Sequence, residues 1–219
     1  MYLTRMELDI SRRDTMRALS APNLLHGAVE AAFPGPRTRE LWRLDRLQGK
    51  YYLLILSERE PDLTDAVRQF GAAHEDAGWE SRDYSPLLDR AKNGSEWQFR
   101  LTANPTKCCR SSAKDRDERG TVHAHSTVQY QQEWLAERAQ KHGFSLGEDD
   151  FMVVGSKWAV FQKGTERRRV SLLAVTYEGR LTVTDETLFR QALTEGIGRA
   201  KAYGMGLLTI VRPTCGGNG

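Results

Sequence analysis

The sequence predicts an α+β protein made of two consecutive β-α-β-β-α-β units, and three observations carry that expectation. Short stretches of alternating apolar and polar residues are separated by stretches whose apolar residues recur at helical spacing. The order strand, helix, strand, strand, helix, strand runs through the chain twice. The composition, 39% hydrophobic and 28% charged over 219 residues, is that of a globular protein long enough to bury one large core or two small ones.

Tyr2 to Leu8 alternates as a strand, with Tyr2, Thr4, Met6 and Leu8 on one face. Ser11-Arg12-Arg13-Asp14 resembles a capping box and opens a helical region. Ser20 and Pro22 restart it, and Leu25, Ala28, Val29, Ala32 and Phe33 form a stripe that ends at Pro34-Gly35. Thr38 to Arg46 and Lys50 to Ser57 read as strands joined by Leu47-Gln48-Gly49, and the apolar run from Tyr51 to Leu56 marks the second as a central strand. Pro61-Asp62 caps a helix with Leu63, Ala66, Val67 and Phe70 inward, and Trp79 to Tyr84 supplies the last strand of the first unit.

In the second unit Trp97, Phe99 and Leu101 alternate with polar residues in a strand ending at Asn104-Pro105. A polar segment, Lys107 to Ser126, leads to a helix from Val128 to His142 with Trp134, Leu135 and Ala139 inward. Phe151 to Gln162 and Val170 to Val183 flank the turn Lys163-Gly164-Thr165-Glu166, the pattern of a β-hairpin. Asp185 caps a final helix with Leu188, Phe189, Ala192 and Leu193 inward, and Leu207 to Val211 closes the unit as a strand. The doubled order predicts tandem ferredoxin-like (βαββαβ) domains over residues 1–88 and 95–213, with the boundary between Ser85 and Ser95. The halves share no sequence identity that marks a repeat. Thr214 to Gly219 has too little apolar content to pack and is expected to be a flexible tail.

No apolar run reaches the ~18 to 20 residues of a spanning helix, and the first residues do not form a signal peptide. A cytoplasmic protein without a membrane partner is therefore expected. Cys108, Cys109 and Cys215 form neither a CxxC pair nor an even disulfide framework. His123 and His125 share one face of an extended segment, but their spacing with Cys108 and Cys109 matches no standard zinc pattern, and no metal or cofactor is expected.

Net charge is only +3, from 32 cations against 29 acidic residues, so any basic surface must come from clustering. Arg37 to Lys50 and Lys163 to Arg169 each carry a local excess of three positive charges, and Lys107 to Arg119 an excess of two. A solvated face explains any one of these runs. The basic hairpin of the second unit is of more interest, because arginine pairs bidentately with phosphates or guanine edges.

The stretch Gly196-Ile197-Gly198-Arg199-Ala200-Lys201-Ala202-Tyr203-Gly204-Met205-Gly206 places four glycines and two cations in eleven residues. Such a loop can bring backbone N–H groups and cations to a phosphate. It fits no nucleotide loop: G-x-x-x-x-G-K-[ST] is absent, Lys201 stands where G-x-G-x-x-G needs glycine, and the helix precedes the loop instead of following it. A plain helix C-cap at Gly196 explains it equally well. His26 is the histidine best placed for proton transfer, at the edge of its helix's apolar stripe and next to Gly27. His74 and His142 read as surface residues, and no Ser-His-Asp order or carboxylate cluster competes.

Phe99-Arg100-Leu101-Thr102-Ala103-Asn104-Pro105-Thr106-Lys107, the glycine stretch continued through Leu208, and Met1-Tyr2-Leu3-Thr4 together resemble the CRISPR-associated CasE endoribonucleases, with Tyr177 to Val183 extending the likeness. The resemblance implies metal-independent cleavage of CRISPR precursor RNA at each repeat, by attack of a ribose 2′-OH that leaves a 2′,3′-cyclic phosphate. It also implies that the mature guide RNA stays bound within the multisubunit Cascade complex. His26 matches the catalytic histidine of that family. The RNA contacts expected on this basis are Arg39, Arg43, Arg100, Lys107, Arg110, Lys114, Lys157, Lys163, Arg167, Arg168, Arg169, Gly198, Arg199 and Lys201. The partners implied are the repeat stem-loop and the other Cascade subunits, with a monomer expected in isolation. Two departures stand out: Asn23 occupies a place where many relatives carry tyrosine, and Arg199 one often filled by proline. A non-catalytic RNA-hairpin scaffold and a small-ligand regulatory domain are the alternatives. An RNA-recognition motif is disfavoured, since its aromatic signature is missing.

Overall fold

The computed structural model describes residues 1–36, 38, 40–73, 78–109, 121–147, 149–163 and 168–213. The expected tail from Thr214, the turn residues 164–166, and His74 lie outside them. The first sheet contains β1 (Tyr2–Leu8), β2 (Leu41–Leu47), β3 (Lys50–Ser57) and β4 (Trp79–Asp83) in the antiparallel order β2-β3-β1-β4. That is the ferredoxin-like order for a βαββαβ chain. Helices α1 (Arg13–Ser20), α2 (Pro22–Ala31) and α3 (Thr64–Phe70) belong to this half.

The second sheet repeats the order with β5 (Glu96–Ala103), β8 (Phe144–Ser145), β9 (Phe151–Lys163), β10 (Arg168–Val183) and β11 (Leu208–Val211), arranged β11-β5-β10-β8. β9 and β8 pair in succession with the same edge of β10, so the long hairpin and the short strand share the second-strand position. Helices α5 (Val128–Lys141) and α6 (Glu186–Glu195) complete the unit. The architecture is thus tandem ferredoxin-like, with a β9–β10 hairpin carrying Arg168 and Arg169.

The apolar run of β3 has a direct structural cause. Leu53 and Ile55 enter a core with Met6, Leu25, Val29 and Phe70, whereas Leu56 and Leu54 join a second core with Leu101, Val175 and Leu207. Successive side chains point to opposite faces of a strand, and here both faces are dry. The first sheet is therefore packed against its own helices on one side and against the second unit on the other.

Several local expectations are corrected. Ser11 forms no capping box: Arg12 is the N-cap of α1 without a side-chain cap, and Ser11 donates through N and Oγ to Asp9 Oδ1 at 2.9 and 2.6 Å. The segment expected as a linker contains a short helix, α4 (Ser85–Arg90), whose Leu88 is buried. The polar segment after Pro105 contains a two-stranded ribbon, β6 (Thr106–Cys109) with β7 (Thr121–Ala124). Leu188 points outward at 40% exposure. His142 is half-buried, its Nδ1 2.8 Å from the Arg138 carbonyl. By contrast, Asp185 caps α6 through Oδ1, accepting from Thr187 N and Leu188 N at 2.9 and 3.0 Å.

Arg43 carries the largest correction. It is 1% exposed, and its guanidinium points from β2 into the second unit. Two bonds of 2.7 Å form a fork onto Asp45, and the remaining donors reach the Arg100 carbonyl, the Leu207 carbonyl and Thr209 Oγ1, each at 2.8 Å. It is unavailable to RNA because every direction of the fork is already filled by protein. Arg100 is drawn into the same junction, 3.4 Å from Asp45 and 2.7 Å from Glu178. The neighbouring Tyr84 phenol is raised well above its ordinary pKa by burial, with the Arg43 charge opposing the shift.

Truncating one partner of a buried ion pair leaves the other charged and desolvated. Arg43→Ala is therefore expected to destabilise the protein by about 3–5 kcal/mol, read from urea unfolding midpoints. Arg43→Met combined with Asp45→Leu should recover only part of that loss, because the Arg100 and Leu207 carbonyls stay without their donor.

Candidate active site in the cleft between the two units

The glycine stretch is built to close on an edge. β2 is the outer strand of the first sheet, and the loop after α6 folds around it. A Cβ at Gly196 would lie 2.9 Å from a Leu41 methyl, and one at Gly204 would lie 2.6 Å from the Trp42 ring. Leu41 and Trp42 are consecutive, so the two glycines approach opposite faces of one strand. Gly204 also has a φ of 77°, which makes it a glycine position on both counts. Ile197 N donates to the Gly206 carbonyl at 2.8 Å and Gly206 N to the Thr102 carbonyl at 2.6 Å. These backbone groups close the loop and do not form a nest for an anion.

This clasp opens a cleft of about 700 Å³ lined on one side by His26, Val29 and Glu30 of α2 with Thr38 and Glu40, and on the other by residues 198–202. His26, Gly198, Arg199 and Lys201, far apart in sequence, are thereby brought to one place. The imidazole is a quarter exposed, with Nε2 3.6 Å from Glu30 Oε2 and its ring centroid 6.3 Å from that of Tyr203. Gly27 is exposed and does not line the cleft. Arg199 is exposed, whereas Lys201 is half-buried and donates to the Glu195 carbonyl at 2.5 Å. Two carboxylates, Glu30 and Glu40, share the cleft with two cations. Glu40 accepts a hydrogen bond from Thr38 Oγ1, which holds part of its charge.

The other expected contacts distribute around this centre. Lys157 is exposed on β9 in an adjoining cleft of about 380 Å³ that Tyr203, Trp158 and Pro22 also line. Arg168 and Arg169 are exposed at the start of β10, opposite Lys163 and Gln162. Lys107 lines a separate cleft with His123, His125 and Tyr130. Arg39, Arg110, Lys114, Arg167 and the Lys163 side chain lie outside the described residues. Among the described residues, no group of three or more His, Cys, Asp or Glu is placed to hold a metal ion.

Two neighbours of His26 escape the sequence reading. Glu30 follows it by four residues, a spacing that puts both on one helix face and is legible in principle. Tyr203 lies 177 positions away and gives no such signal. Asn23 does not reach the cleft lining; its Oδ1 is buried without a hydrogen-bond partner among the described residues.

Known proteins resemble the chain over nearly its whole length. A family profile described as CRISPR associated protein matches residues 1–212. The CRISPR-associated endoribonuclease Cse3 of Thermus thermophilus is 31% identical over 228 aligned positions, covering 96% of this chain and 99% of that protein. A solved structure of CRISPR endoribonuclease Cse3 bound to 19 nt RNA superposes with a TM-score of 0.79 at 27% identity, over 96% of this chain and all of the other. Thermus thermophilus Cse3 bound to an RNA representing a pre-cleavage complex gives 0.77 at 26% identity, over 96% and 98%. With a matched profile spanning nearly the whole sequence and a relative of this identity and coverage, the chain belongs to the CRISPR-associated protein family that includes Cse3.

Proposed function

We propose that the chain is a metal-independent endoribonuclease that binds the stem-loop of CRISPR repeats, cleaves precursor RNA beside it, and keeps the guide RNA as a cytoplasmic Cascade subunit. The observation that carries this reading is the cleft in which His26 of the first unit faces Arg199 and Lys201 of the second. The likeness to Cse3, named an endoribonuclease and solved with RNA bound, supplies the substrate class.

The reaction needs one proton removed and one supplied. Attack by the 2′-oxygen forms a bond to phosphorus and breaks the bond to the 5′-oxygen; the 2′-OH loses its proton and the departing oxygen gains one. A histidine at the lip of the cleft can perform either transfer. Arg199 and Lys201 supply positive charge where the phosphorane charge develops. The exposed Arg168 and Arg169 extend from the same unit toward a bound stem, and A-form RNA is held largely through phosphate contacts and shape. Arg43 has no part in this reading, since it is a structural group.

Incubation with a repeat hairpin in EDTA tests the proposal. Cleavage that stops when the scissile nucleotide is 2′-deoxy supports it, and tight binding to RNA that stays intact supports a hairpin scaffold instead. His26→Ala is expected to lower single-turnover cleavage by at least about 100-fold while affinity for the uncleaved hairpin holds. Replacing Arg168 and Arg169 together by Ala should weaken hairpin binding and flatten its log–log salt dependence by roughly 0.9 per lost phosphate contact of the duplex stem, as measured by filter binding across a salt series.

A further inference from the structure

The imidazole of His26 stands on a helix surface, where its two side-chain torsions leave several orientations open. Glu30, from the same helix, meets one ring nitrogen. The ring contact comes from the second unit: Tyr203 meets His26 edge to face, with centroids 6.3 Å apart and planes at 60°. Tyr203 is in turn packed on Phe161 of β9, with centroids 4.9 Å apart and planes at 53°.

The backbone holding Tyr203 is tightly specified. It ends a 3-10 turn, Lys201–Tyr203, bounded by left-handed residues on both sides, Ala200 with φ 63° and Gly204 with φ 77°. Tyr203 N donates to the Ala200 carbonyl at 2.9 Å, and Gly204 N to the Lys201 carbonyl at 3.2 Å. A left-handed alanine costs about 1–2 kcal/mol, and such outliers persist where surrounding contacts over-determine them. Here Trp42 fixes Gly204 on one side of the turn, and the turn directs one aromatic ring at His26. β9 also carries the basic hairpin, so one continuous line of packed groups runs from Phe161 through Tyr203 to the imidazole.

We propose that Tyr203 is a positioning residue for His26: its ring, presented from the second unit, sets the orientation of the imidazole toward the phosphate. The ring performs this role, since the contact with His26 is between ring planes. Tyr203 lines the adjoining cleft and not the one that faces His26, which makes it a positioning residue and not a catalytic one in this proposal. The inference rests on the endoribonuclease reading only for its consequence on rate.

Two substitutions and two measurements decide it. Tyr203→Leu keeps bulk and removes the aromatic plane; Tyr203→Phe keeps the plane. The expected result is a roughly 10–100-fold loss of single-turnover cleavage in the leucine variant, the scale of a small misplacement of a catalytic group, with unchanged hairpin affinity and near-parental cleavage in the phenylalanine variant. In RNA-free protein, the His26 ring Cε1–H resonance should move in the leucine variant through loss of the ring-current field and stay in place in the phenylalanine variant. Parental cleavage by the leucine variant, an equal fall in rate and affinity, an equal loss in the phenylalanine variant, or an unmoved resonance each overturns the proposal. If the parent protein cleaves no repeat RNA, the endoribonuclease reading falls, and an unmoved resonance in the leucine variant still overturns the ring contact on which the positioning role stands.

Discussion

The Arg43 guanidinium, buried between the two sheets, is the contact on which the rest of the structure depends. It leaves β2, forks onto Asp45, and reaches two carbonyls and a hydroxyl of the second unit. Apolar packing of Leu54 and Leu56 against the second core attracts the units without direction. The buried fork adds direction, because a planar guanidinium with fixed donors is satisfied in one relative placement of the sheets. The cleft takes its two walls from that placement, with His26 from one unit and Arg199 and Lys201 from the other.

The glycine stretch acts at the same junction. Its glycines serve close packing: Gly196 and Gly204 let the loop pass both faces of the β2 edge, and the space a side chain would need is occupied by Leu41 and Trp42. Once the clasp is closed, the remaining positions of the loop, Gly198 to Ala202, form one wall of the cleft. A single segment thus joins the units and presents cations to the histidine opposite.

Much of this was legible in the sequence. Alternation in Tyr2 to Leu8 and in Trp97 to Leu101 places β1 and β5, and Asp185 marks the start of α6 through a cap that forms. His26 and the glycine loop are recognisable separately, by residue type and local pattern. Their meeting is a long-range fact, set by which sheet edge the loop closes on, and no local period encodes it. Arg43 shows the limit most clearly. In β2 it alternates with Trp42 and Leu44 as a solvent-facing cation would, and only the second unit lying over that face makes it buried. The β6–β7 ribbon escapes for another reason: its strands are four residues each, in a polar segment with little alternation to detect.

In the proposed reaction, proton transfer in this cleft drives attack by a ribose hydroxyl on the neighbouring phosphate. Mass spectrometry of the termini released from a repeat hairpin in EDTA tests it most directly. The predicted products are a fragment ending in a 2′,3′-cyclic phosphate and one beginning with a free 5′-hydroxyl. A 5′-phosphate paired with a 3′-hydroxyl would contradict it, because that outcome requires attack by water and leaves the 2′-hydroxyl out of the chemistry.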